Sequence, residues 1–424
     1  MQTSANELSI KVKDARKAAR KLSNTAGWVK NQALVNIAET LISSNGSILK
    51  ANEKDCEKGQ SDGMSEALLD RLFLDNERLE LLASDVHAVA TLPDPVGETI
   101  DMRIMPNGLQ VGKRRVPMGV IGAIYESRPN VTVDISVLCL KSGNAVILRG
   151  GKESIHTNKA LVKIIRDSVL CSGMPENAVQ FIETADRDIV GRMLKMKGEI
   201  DLIIPRGGAN LIRRVSEEST VPAITGGIGV CHTYVDRSAD IDMALNVVFN
   251  AKVQRPSVCN ALDTLIVHSD IASEYLPKIG KLWLDAGVEM RCDLASLKVL
   301  RSVVGSNAIP AGQDDWGTEY LSLKASIKIV DSIDEVIDHI ETYGTGHSEA
   351  IVTEDYSAAM KFLNEIDSSA VMVNASTRFN DGGEFGLGAE VAISTSKFHV
   401  RGPMGLRELT SYKWIVLGAG HVRE

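Results

Sequence analysis

The sequence lacks the short motifs by which many enzymes bind nucleotides or metals. No G-x-G-x-x-G stretch occurs, so the usual glycine fingerprint of a dinucleotide-binding domain is missing, although pairs such as Gly227/Gly229 and Gly386/Gly388 are present. Neither G-x-x-x-x-G-K-[ST] nor H-E-x-x-H occurs, and the eight histidines are scattered. ATP binding through a P-loop is therefore unsupported, and we expect no metal site.

Long apolar runs and an excess of positive charge are also missing. No stretch reaches the roughly 18 apolar residues of a membrane span, and residues 2–23 lack the apolar core of a signal peptide. The net charge of −8 argues against non-specific binding to nucleic acid, and Asp14 interrupts the basic stretch Lys11–Lys21, which is typical of a solvated helix face. We expect no membrane or nucleic-acid partner and a cytoplasmic location.

Cysteine is scarce, with six residues in 424, and no two of them form a C-x-x-C pair. A chain of this length does not depend on disulfides for a stable core. The spacing favours a reducing compartment, and each thiol taken alone is more often buried and inert than reactive.

The first hundred residues have the period of helices. Val12, Ala15, Ala19 and Leu22 recur at helical spacing, and Leu34–Ile48 repeats the pattern. The period changes at 99–116, where alternating residues flank a turn of Pro, Asn and Gly. This predicts a hairpin, either a surface flap or an arm that pairs with another subunit, and we favour the arm. The stretch 410–417 predicts a late strand that pairs with this hairpin.

From residue 116 onward, apolar strands alternate with helical segments, which predicts parallel doubly wound sheets. The predicted strands are Gly119–Tyr125, Asn144–Leu148, Val179–Ile182, Asp201–Ile204, Thr264–Val267, Ile327–Val330 and Ala370–Val373. The predicted helices are Val131–Ser142, His156–Leu170, Ala272–Ala286 and Ile333–Glu341. A second alternating block begins near Thr233, so the fold class is α/β with two such domains.

Two glycine-containing turns follow predicted strands in the first block. Free N–H groups and the dipole at a helix start bind anions, and basic side chains in these turns add full charges. One such turn alone is more often an ordinary connection between a strand and a helix, but two on neighbouring strands would bracket a dinucleotide. Cations near the adenosine ribose would favour NADP over NAD. The candidate cofactor residues are Arg149, Gly150, Gly151, Lys152, Arg206, Gly207 and Gly208.

Cys259 is the candidate nucleophile. It lies in the polar stretch QRPSVCNALDT, between a helical segment and the strand at Thr264, where loops often hold catalytic residues. Arg255 is close enough in sequence to stabilise a thiolate.

Three blocks of the sequence resemble one family, the gamma-glutamyl phosphate reductases, also called glutamate-5-semialdehyde dehydrogenases, of the aldehyde dehydrogenase superfamily. The blocks are Val116–Val131 with VPMGVIGAIYESRPNV, Gln254–Thr264, and GLGAEVAIST from Gly386 running on to RGPMGLRELT at Arg401–Thr410. With the helical amino-terminal part, the resemblance covers nearly the whole chain. The superfamily binds its dinucleotide without the usual glycine fingerprint, which accounts for the missing motif.

The resemblance implies a reaction and a domain plan. The family reduces L-glutamyl 5-phosphate to L-glutamate 5-semialdehyde with NADPH and releases phosphate, in proline biosynthesis. It implies a dinucleotide-binding domain at 1–98 and 117–230, an oligomerisation hairpin and strand at 99–116 and 402–424, and a catalytic domain at 231–401 whose end returns to the cofactor domain. A homo-oligomer, dimer or tetramer, and coupling to a glutamate 5-kinase that supplies the acyl phosphate are expected.

The resemblance also implies roles for single residues. Cys259 is the nucleophile that forms a thioester, and Arg149 stands at the position of the superfamily's cofactor lysine. The turn Pro205–Gly208 corresponds to the turn over the dinucleotide, and Glu319 to the glutamate that contacts the nicotinamide ribose. NADP and NAD are not distinguished by sequence alone.

Two departures from the superfamily concern the oxyanion and water. Hydrolytic members carry an oxyanion-binding asparagine where direct register here places Arg128, and we favour Asn130, two residues on. They also carry a general-base glutamate about 34 residues before the cysteine, which falls near Thr225, where no carboxylate occurs. This absence favours an enzyme whose thioester reacts with phosphate or with hydride rather than with water.

The substrate carries carboxylate, phosphate and ammonium groups. Arg128, Arg255 and Arg378 are candidates for the anions, although arginine is commonly an ordinary surface residue. Either Glu126 or Asp381 would meet the ammonium. His347 is a candidate for proton transfer, with a structural histidine as the more common alternative.

Two alternatives to the reductase remain at this point. One is a hydrolytic or other aldehyde dehydrogenase of the same superfamily, which the missing base disfavours. The other is a binding or structural protein on the same scaffold, which the intact stretch around Cys259 disfavours.

Overall fold

The computed structural model describes residues 2–184, 186, 188–224, 226 and 228–423. The chain divides into two compact units. The first comprises residues 1–225, 386–392 and 403–424, and the second comprises 226–385 and 393–402. Each unit contains one parallel sheet, and the first also contains a small antiparallel sheet, so the predicted fold class is confirmed.

The helices are α1 (Gln2–Leu22), α2 (Gly27–Ser43), α3 (Asn45–Ser61), α4 (Glu66–Leu72), α5 (Asn76–Thr91), α6 (Pro129–Lys141), α7 (Ile155–Cys171), α8 (Asp188–Met193), α9 (Ala209–Glu218), α10 (Ile241–Val253), α11 (Ser269–Asp285), α12 (Leu294–Val304), α13 (Ile333–Tyr343) and α14 (Tyr356–Glu365). The predicted helical character of the first hundred residues is confirmed. In α1, Val12, Ala15 and Leu22 are fully buried, since their spacing places them on one face.

The strands are β1 (Thr99–Ile104), β2 (Gln110–Pro117), β3 (Val120–Tyr125), β4 (Ala145–Arg149), β5 (Val179–Phe181), β6 (Leu202–Arg206), β7 (Cys231–Val235), β8 (Leu262–His268), β9 (Glu289–Cys292), β10 (Ala308–Pro310), β11 (Lys324–Val330), β12 (Ser348–Val352), β13 (Ala370–Val373), β14 (Ile393–Ser394), β15 (Gly402–Pro403) and β16 (Thr410–Leu417). Each strand predicted from the sequence is present, within a few residues at its ends.

The parallel sheet of the first unit has the strand order β5-β4-β3-β6. All residues of β3 are buried, as expected for a strand covered on both faces. Successive strands β3, β4 and β5 run to one side, whereas β6 pairs with the other side of β3. The strand order therefore reverses between β3 and β6, and ligands of open α/β sheets bind at the carboxyl ends beside such a reversal.

The parallel sheet of the second unit has the order β10-β9-β11-β8-β7-β12-β13. Its core includes Trp283 and Tyr275 of α11, both fully buried. The sequence did not predict β9, β10, β12, α12 or α14. In β12 the reason is visible, because the buried strand contains Glu349, whose charge interrupts the apolar run and is compensated by His232 Nδ1 at 2.9 Å.

The antiparallel sheet has the order β1-β2-β16. Its hairpin turns at Gly108, which has φ 90°, and Met105 N donates to Leu109 O at 2.7 Å. β16 pairs with β2 along its whole length, with Trp414 opposite Lys113. The prediction that the late strand pairs with the hairpin is therefore confirmed.

Candidate active site

Both glycine turns lie at the carboxyl edge of the parallel sheet in the first unit. β4 ends at Arg149 and β6 ends at Arg206, and each of these strands pairs with β3. The expectation that the two turns follow neighbouring strands is wrong, because β3 lies between them. The turns nevertheless flank the point where the strand order reverses.

The turn after β4 is closely packed at Gly150. A Cβ atom at Gly150 would lie 2.2 Å from Asn158 Nδ2 and 3.1 Å from the Tyr125 ring, so a larger residue would displace its neighbours. Asn158 Nδ2 donates to Ser154 Oγ at 3.0 Å, and Tyr125 OH lies 2.6 Å from Thr132 Oγ1. This polar network is buried and holds the chain as it passes from β4 into α7.

Two N–H groups at the start of α7 are already bound by a carboxylate from α3. Thr157 N donates to Asp55 Oδ2 at 2.8 Å, and His156 N donates to Asp55 Oδ1 at 3.3 Å. Asp55 is 1% exposed and comes from α3. Its carboxylate takes the place of an external anion at the helix start. The positive groups of this turn are the half-buried Arg149 and the exposed Lys152.

A carboxylate also faces the turn after β6. Glu126 Oε2 accepts from Gly208 N at 3.0 Å, at the start of α9. A Cβ at Gly207 would lie 2.5 Å from the same oxygen. Glu126, which the sequence put forward for the substrate ammonium, therefore caps a helix in the first unit, next to the half-buried Arg206.

Glu153 joins the end of β3 to the turn after β4. Its Oε1 atom accepts from Ser127 N at 2.7 Å and from Ser127 Oγ at 2.9 Å. Ser127 has φ 44°, an unfavourable backbone conformation for a residue with a side chain, and these two bonds stabilise it. The next residue, Arg128, is half-buried and is the N-cap of α6.

Asn130 lies exposed in the first turn of α6, in the first unit. Its Nδ2 atom donates to Asp134 Oδ2 at 3.0 Å. Burial raises the pKa of Asp134 to about 7, the charge of Asp85 adds to this rise, and Asn130 and Arg206 oppose it. A side-chain amide has two N–H donors, and the bond to Asp134 uses one of them.

Cys259 lies half-buried in the loop between α10 and β8 of the second unit. The backbone at Gly229 packs directly on this loop, since a Cβ at Gly229 would lie 2.0 Å from Cys259 O and 3.0 Å from Cys259 Cβ. Cys231 Sγ donates to Cys259 O at 3.2 Å. Only glycine allows this close approach. The packing therefore holds the backbone at Gly229 against the loop that carries Cys259.

Glu319 belongs to the same cluster. Its Oε1 atom accepts from Gly229 N at 3.1 Å. Burial raises the pKa of Glu319, and the bond from Gly229 opposes this rise. The structure thus connects Cys259 and Glu319 through Gly229, and it places Glu319 in the second unit rather than with the glycine turns.

Two cations accompany Cys259 in the second unit. Burial lowers the pKa of the half-buried Arg378, and the charge of Arg255 lowers it further. The charges of Asp381 and Cys259 oppose this shift. Arg378 and Cys259 therefore lie close enough to interact electrostatically.

The other polar groups near Cys259 are less suited to catalysis. His347 is buried, its Nδ1 atom lies 2.7 Å from Ser348 Oγ, and burial lowers its pKa to about 4, so the ring is neutral at pH 7. Burial raises the pKa of the Cys231 thiol well above its usual value. Asp381 Oδ1 accepts from Gly383 N at 2.9 Å within its own turn. Cys259 is therefore better suited than Cys231 to act as the nucleophile.

A buried ion pair that the sequence did not indicate supports the cluster. Lys252 Nζ lies 3.8 Å from Asp263 Oδ1, and Asp263 also accepts from Tyr320 N at 3.0 Å and from Cys231 N at 3.4 Å. Burial lowers the pKa of Lys252 to about 8 and raises that of Asp263 to about 7, and the attraction between them opposes both shifts. Asp263 thereby connects β7 to the segment that carries Glu319.

Among the side chains that the structure describes, no three or more of His, Cys, Asp and Glu are grouped so as to hold a metal ion. In the same part of the chain, no helix combines the length and apolar character needed to cross a membrane. None of the six cysteines is in a disulfide. Thr225, where the sequence lacks the general-base glutamate, lies outside the described residues.

The sequence did not point to several residues that organise the two sites. Gly229 packs on Cys259, and Gln254 and Asn260 accept hydrogen bonds from Arg378. Asp55 accepts from the start of α7, and Glu153 accepts from Ser127. Adjacency to Cys259 was the only available signal for Asn260. The others lie far along the chain from their partners.

Comparisons with known proteins agree with this architecture. Residues 1–288 match the aldehyde dehydrogenase family. The gamma-glutamyl phosphate reductase of Dehalococcoides mccartyi strain BAV1 is 56% identical over 423 residues, with 100% of both chains covered, and that of Caldanaerobacter subterraneus subsp. tengcongensis is 52% identical, covering 99% of this chain and 100% of its own. The crystal structure of gamma-glutamyl phosphate reductase from Thermotoga maritima has a TM-score of 0.94 at 49% identity, covering 99% of this chain and 100% of its own. This chain therefore belongs to the aldehyde dehydrogenase family and, within it, to the gamma-glutamyl phosphate reductases.

Proposed function

We propose that this chain reduces L-glutamyl 5-phosphate to L-glutamate 5-semialdehyde with NADPH and releases phosphate, as a step of proline biosynthesis. The reaction is the one that the relatives' name describes. The observation that carries the proposal is the cluster around Cys259, a half-buried thiol packed against Gly229 and close to the charge of Arg378. A thiol in a positive environment is the group that attacks an activated acyl carbon.

The first step is attack of the Cys259 thiolate on the acyl carbon of the substrate. The new carbon–sulfur bond replaces the carbon–oxygen bond to phosphate, which leaves with the bonding electrons. The product is a thioester on Cys259. Arg255 and Arg378 are the candidates to hold anionic groups of the substrate, and Arg128 is the candidate from the first unit.

Negative charge develops on the acyl oxygen during formation and reduction of the thioester. The backbone N–H of Cys259 is a suitable donor, because the packing of Gly229 holds this loop. We assign Asn130 as the second donor, with its orientation set by the bond to Asp134. Collapse of the reduced adduct releases the aldehyde and restores the thiolate.

A nicotinamide cofactor is part of the chemistry of this family, and it supplies the hydride when bound. The residues present fit such a cofactor, since two turns with Arg149, Lys152 and Arg206 flank the reversal of strand order at the carboxyl edge of the first sheet. We assign these three cations, with Gly150, Gly151, Gly207 and Gly208, to its phosphates. A 2′-phosphate adds negative charge, so we assign NADPH rather than NADH. Glu319 is the candidate for the nicotinamide ribose.

The reverse reaction tests this function against the hydrolytic alternative. Oxidation of glutamate 5-semialdehyde by NADP⁺ is measured with and without inorganic phosphate. We expect turnover to require phosphate, since phosphate must cleave the thioester when no base activates water. Turnover at the full rate without phosphate would identify a hydrolytic aldehyde dehydrogenase.

A matched pair of variants tests the nucleophile. Cys259→Ala should abolish turnover, a loss on the order of 10⁴-fold or more, as for other covalent nucleophiles. Cys171→Ala removes an exposed thiol and should leave the rate unchanged. Circular dichroism and the melting temperature verify that both variants fold. Activity retained by Cys259→Ala would contradict the thioester mechanism.

We also propose that the chain forms a homo-oligomer, dimer or tetramer, through the sheet β1-β2-β16. Tyr412, Trp414 and Val416 alternate along β16 and are each more than half exposed, so they present an aromatic and apolar face. Sedimentation analysis of Trp414→Glu is expected to give smaller species than the unmodified chain. Because acyl phosphates hydrolyse readily, coupling to a glutamate 5-kinase would supply the substrate.

A further inference from the structure

The side chain of Arg378 is held at both ends of the Cys259 loop. Its Nε atom donates to Gln254 Oε1 at 2.9 Å, and its Nη1 atom donates to Asn260 Oδ1. Gln254 precedes the cysteine by five residues and Asn260 follows it directly. The guanidinium group therefore spans the loop that carries Cys259, and both of its acceptors are uncharged amides.

Asn260 makes a second set of contacts in the opposite direction. Its Nδ2 atom donates to Asn380 O at 3.1 Å and to Arg378 O at 3.3 Å. Asn380 Nδ2 in turn donates to Ser348 Oγ at 2.8 Å, at the start of β12. Asn260 is 3% exposed, so these bonds form away from solvent. They connect the nucleophile loop to the segment that carries Arg378.

Only an uncharged amide meets both requirements at this position. The oxygen accepts from the guanidinium, and the nitrogen donates to two carbonyl groups. A carboxylate would accept but not donate, and it would neutralise Arg378. An amide orients the cation without adding a negative charge, which matters where the cation acts on a neighbouring thiol.

We propose that Asn260 is a positioning residue that holds the Arg378 guanidinium beside Cys259, where its charge favours the thiolate and attracts an anionic group of the substrate. Gln254 assists by holding the Nε atom of Arg378. This inference rests on the proposed function only for the identity of the substrate, because the effect on Cys259 exists in the ligand-free enzyme.

The test measures the rate at which iodoacetamide alkylates Cys259 as a function of pH, by mass spectrometry of the Cys259 peptide, without substrate or cofactor. Arg378→Gln should raise the midpoint by about 1 pH unit or more, as for loss of one nearby opposite charge. Asn260→Ala should raise it in the same direction by about half a unit, since the charge remains but is no longer held. Asn250→Ala, an exposed position on α10, is the control and should leave the profile unchanged.

The double variant Asn260→Ala/Arg378→Gln separates positioning from an independent effect. If Asn260 acts through Arg378, the double variant should match Arg378→Gln alone, because the coupled contributions are not additive. Additive shifts, or an unshifted profile in folded Asn260→Ala, would overturn the proposal. If Asn260→Ala does not fold, the test uses Gln254→Ala, which changes an exposed residue. An unshifted alkylation profile in both Gln254→Ala and Arg378→Gln would then overturn the proposal.

Steady-state kinetics then distinguish positioning from general damage. Arg378→Lys retains the charge without the planar guanidinium, and it should restore part of the alkylation profile but not kcat/KM for the acyl phosphate. Phosphate-independent turnover would remove the proposed substrate and leave the alkylation result standing, so failure of the function and failure of this inference are distinguishable.

Discussion

Positive side chains occur in both candidate sites, but the groups that surround them differ. In the first unit, the turns beside Arg149 and Arg206 contain the carboxylates of Glu153 and Glu126. In the second unit, Arg378 is held by amide oxygens. Carboxylates bind backbone N–H groups strongly and so build tight turns, but they weaken the positive field. Amides orient a cation and preserve its charge.

This difference suits the two proposed tasks. A cofactor with several phosphates brings enough negative charge to bind in a partly neutralised but well-ordered turn. A nearby cation favours the thiolate form of a thiol, and an amide partner adds no negative charge to oppose it. Each half of this comparison can be tested by substituting single residues.

Gly229→Ala should have the largest effect. The added Cβ would lie 2.0 Å from Cys259 O, so the loop must move, and displacement of a catalytic group by about 1 Å commonly costs about 100-fold in rate. We expect kcat/KM to fall by about 100-fold or more in steady-state assays. Gly46→Ala, on α3 with no atom within 4 Å of the added Cβ, is the control and should retain full activity. Unchanged kinetics in Gly229→Ala would contradict the role of this packing.

Arg149→Gln and Arg206→Gln test the cofactor assignment. Each removes one charge from a glycine turn, and loss of one charge-assisted hydrogen bond to a phosphate corresponds to roughly a tenfold rise in KM for NADPH. The residue that contacts the 2′-phosphate should affect NADPH far more than NADH. Arg301→Gln, on an exposed face of α12, serves as the control. If neither variant changes KM for NADPH, these turns do not bind the cofactor.

Asp134→Asn tests the carboxylate beside Asn130. Because burial raises its pKa in the folded state from 3.8 to about 7, folding binds a proton more tightly, and stability falls as the pH rises between these values. The variant cannot ionise. Its melting temperature should match that of the unmodified chain near pH 4 and exceed it by about 2 to 4 °C at pH 8. Asp62→Asn, at an exposed position, should show no such trend. An equal difference at both pH values would contradict the assignment.

Glu153→Gln should have the smallest effect and tests the comparison most directly. The amide retains an acceptor for Ser127 N and Oγ but removes the negative charge from the first turn. We expect KM for NADPH to fall about two- to threefold, the scale of an exposed charge interaction. If the loss of the Glu153 charge acts through Arg149, the double variant Arg149→Gln/Glu153→Gln should have the same KM for NADPH as Arg149→Gln alone. A rise in KM would mean that the Glu153 carboxylate is needed to keep the turn ordered, and that this effect outweighs its repulsion of the cofactor phosphates.

Much of the fold could be predicted from local patterns. The change of period at 99–116 and the alternating residues of β16 led to the correct pairing of hairpin and late strand. Short or charged buried strands were not predictable, as β12 illustrates with Glu349, because local hydrophobicity does not reveal a distant compensating partner such as His232.

The candidate sites divide in the same way. The stretch around Cys259 pointed to the candidate nucleophile and to the family, since those residues are contiguous. The neighbouring-strand expectation for the glycine turns failed, because strand order depends on how α6, α7 and α8 cross the sheet rather than on any single segment.

Local patterns of residues were enough to predict the alternation of strands and helices, the hairpin with its late partner, and Cys259 as the candidate nucleophile. The groups that surround Cys259 and the two glycine turns are visible only in the folded structure. Arg378 and Asn260 lie 118 residues apart, and Asp55 and Thr157 lie 102 residues apart. Hydrogen bonds between residues so far apart in sequence depend on how whole helices and strands pack, and a local pattern of side chains does not predict that packing.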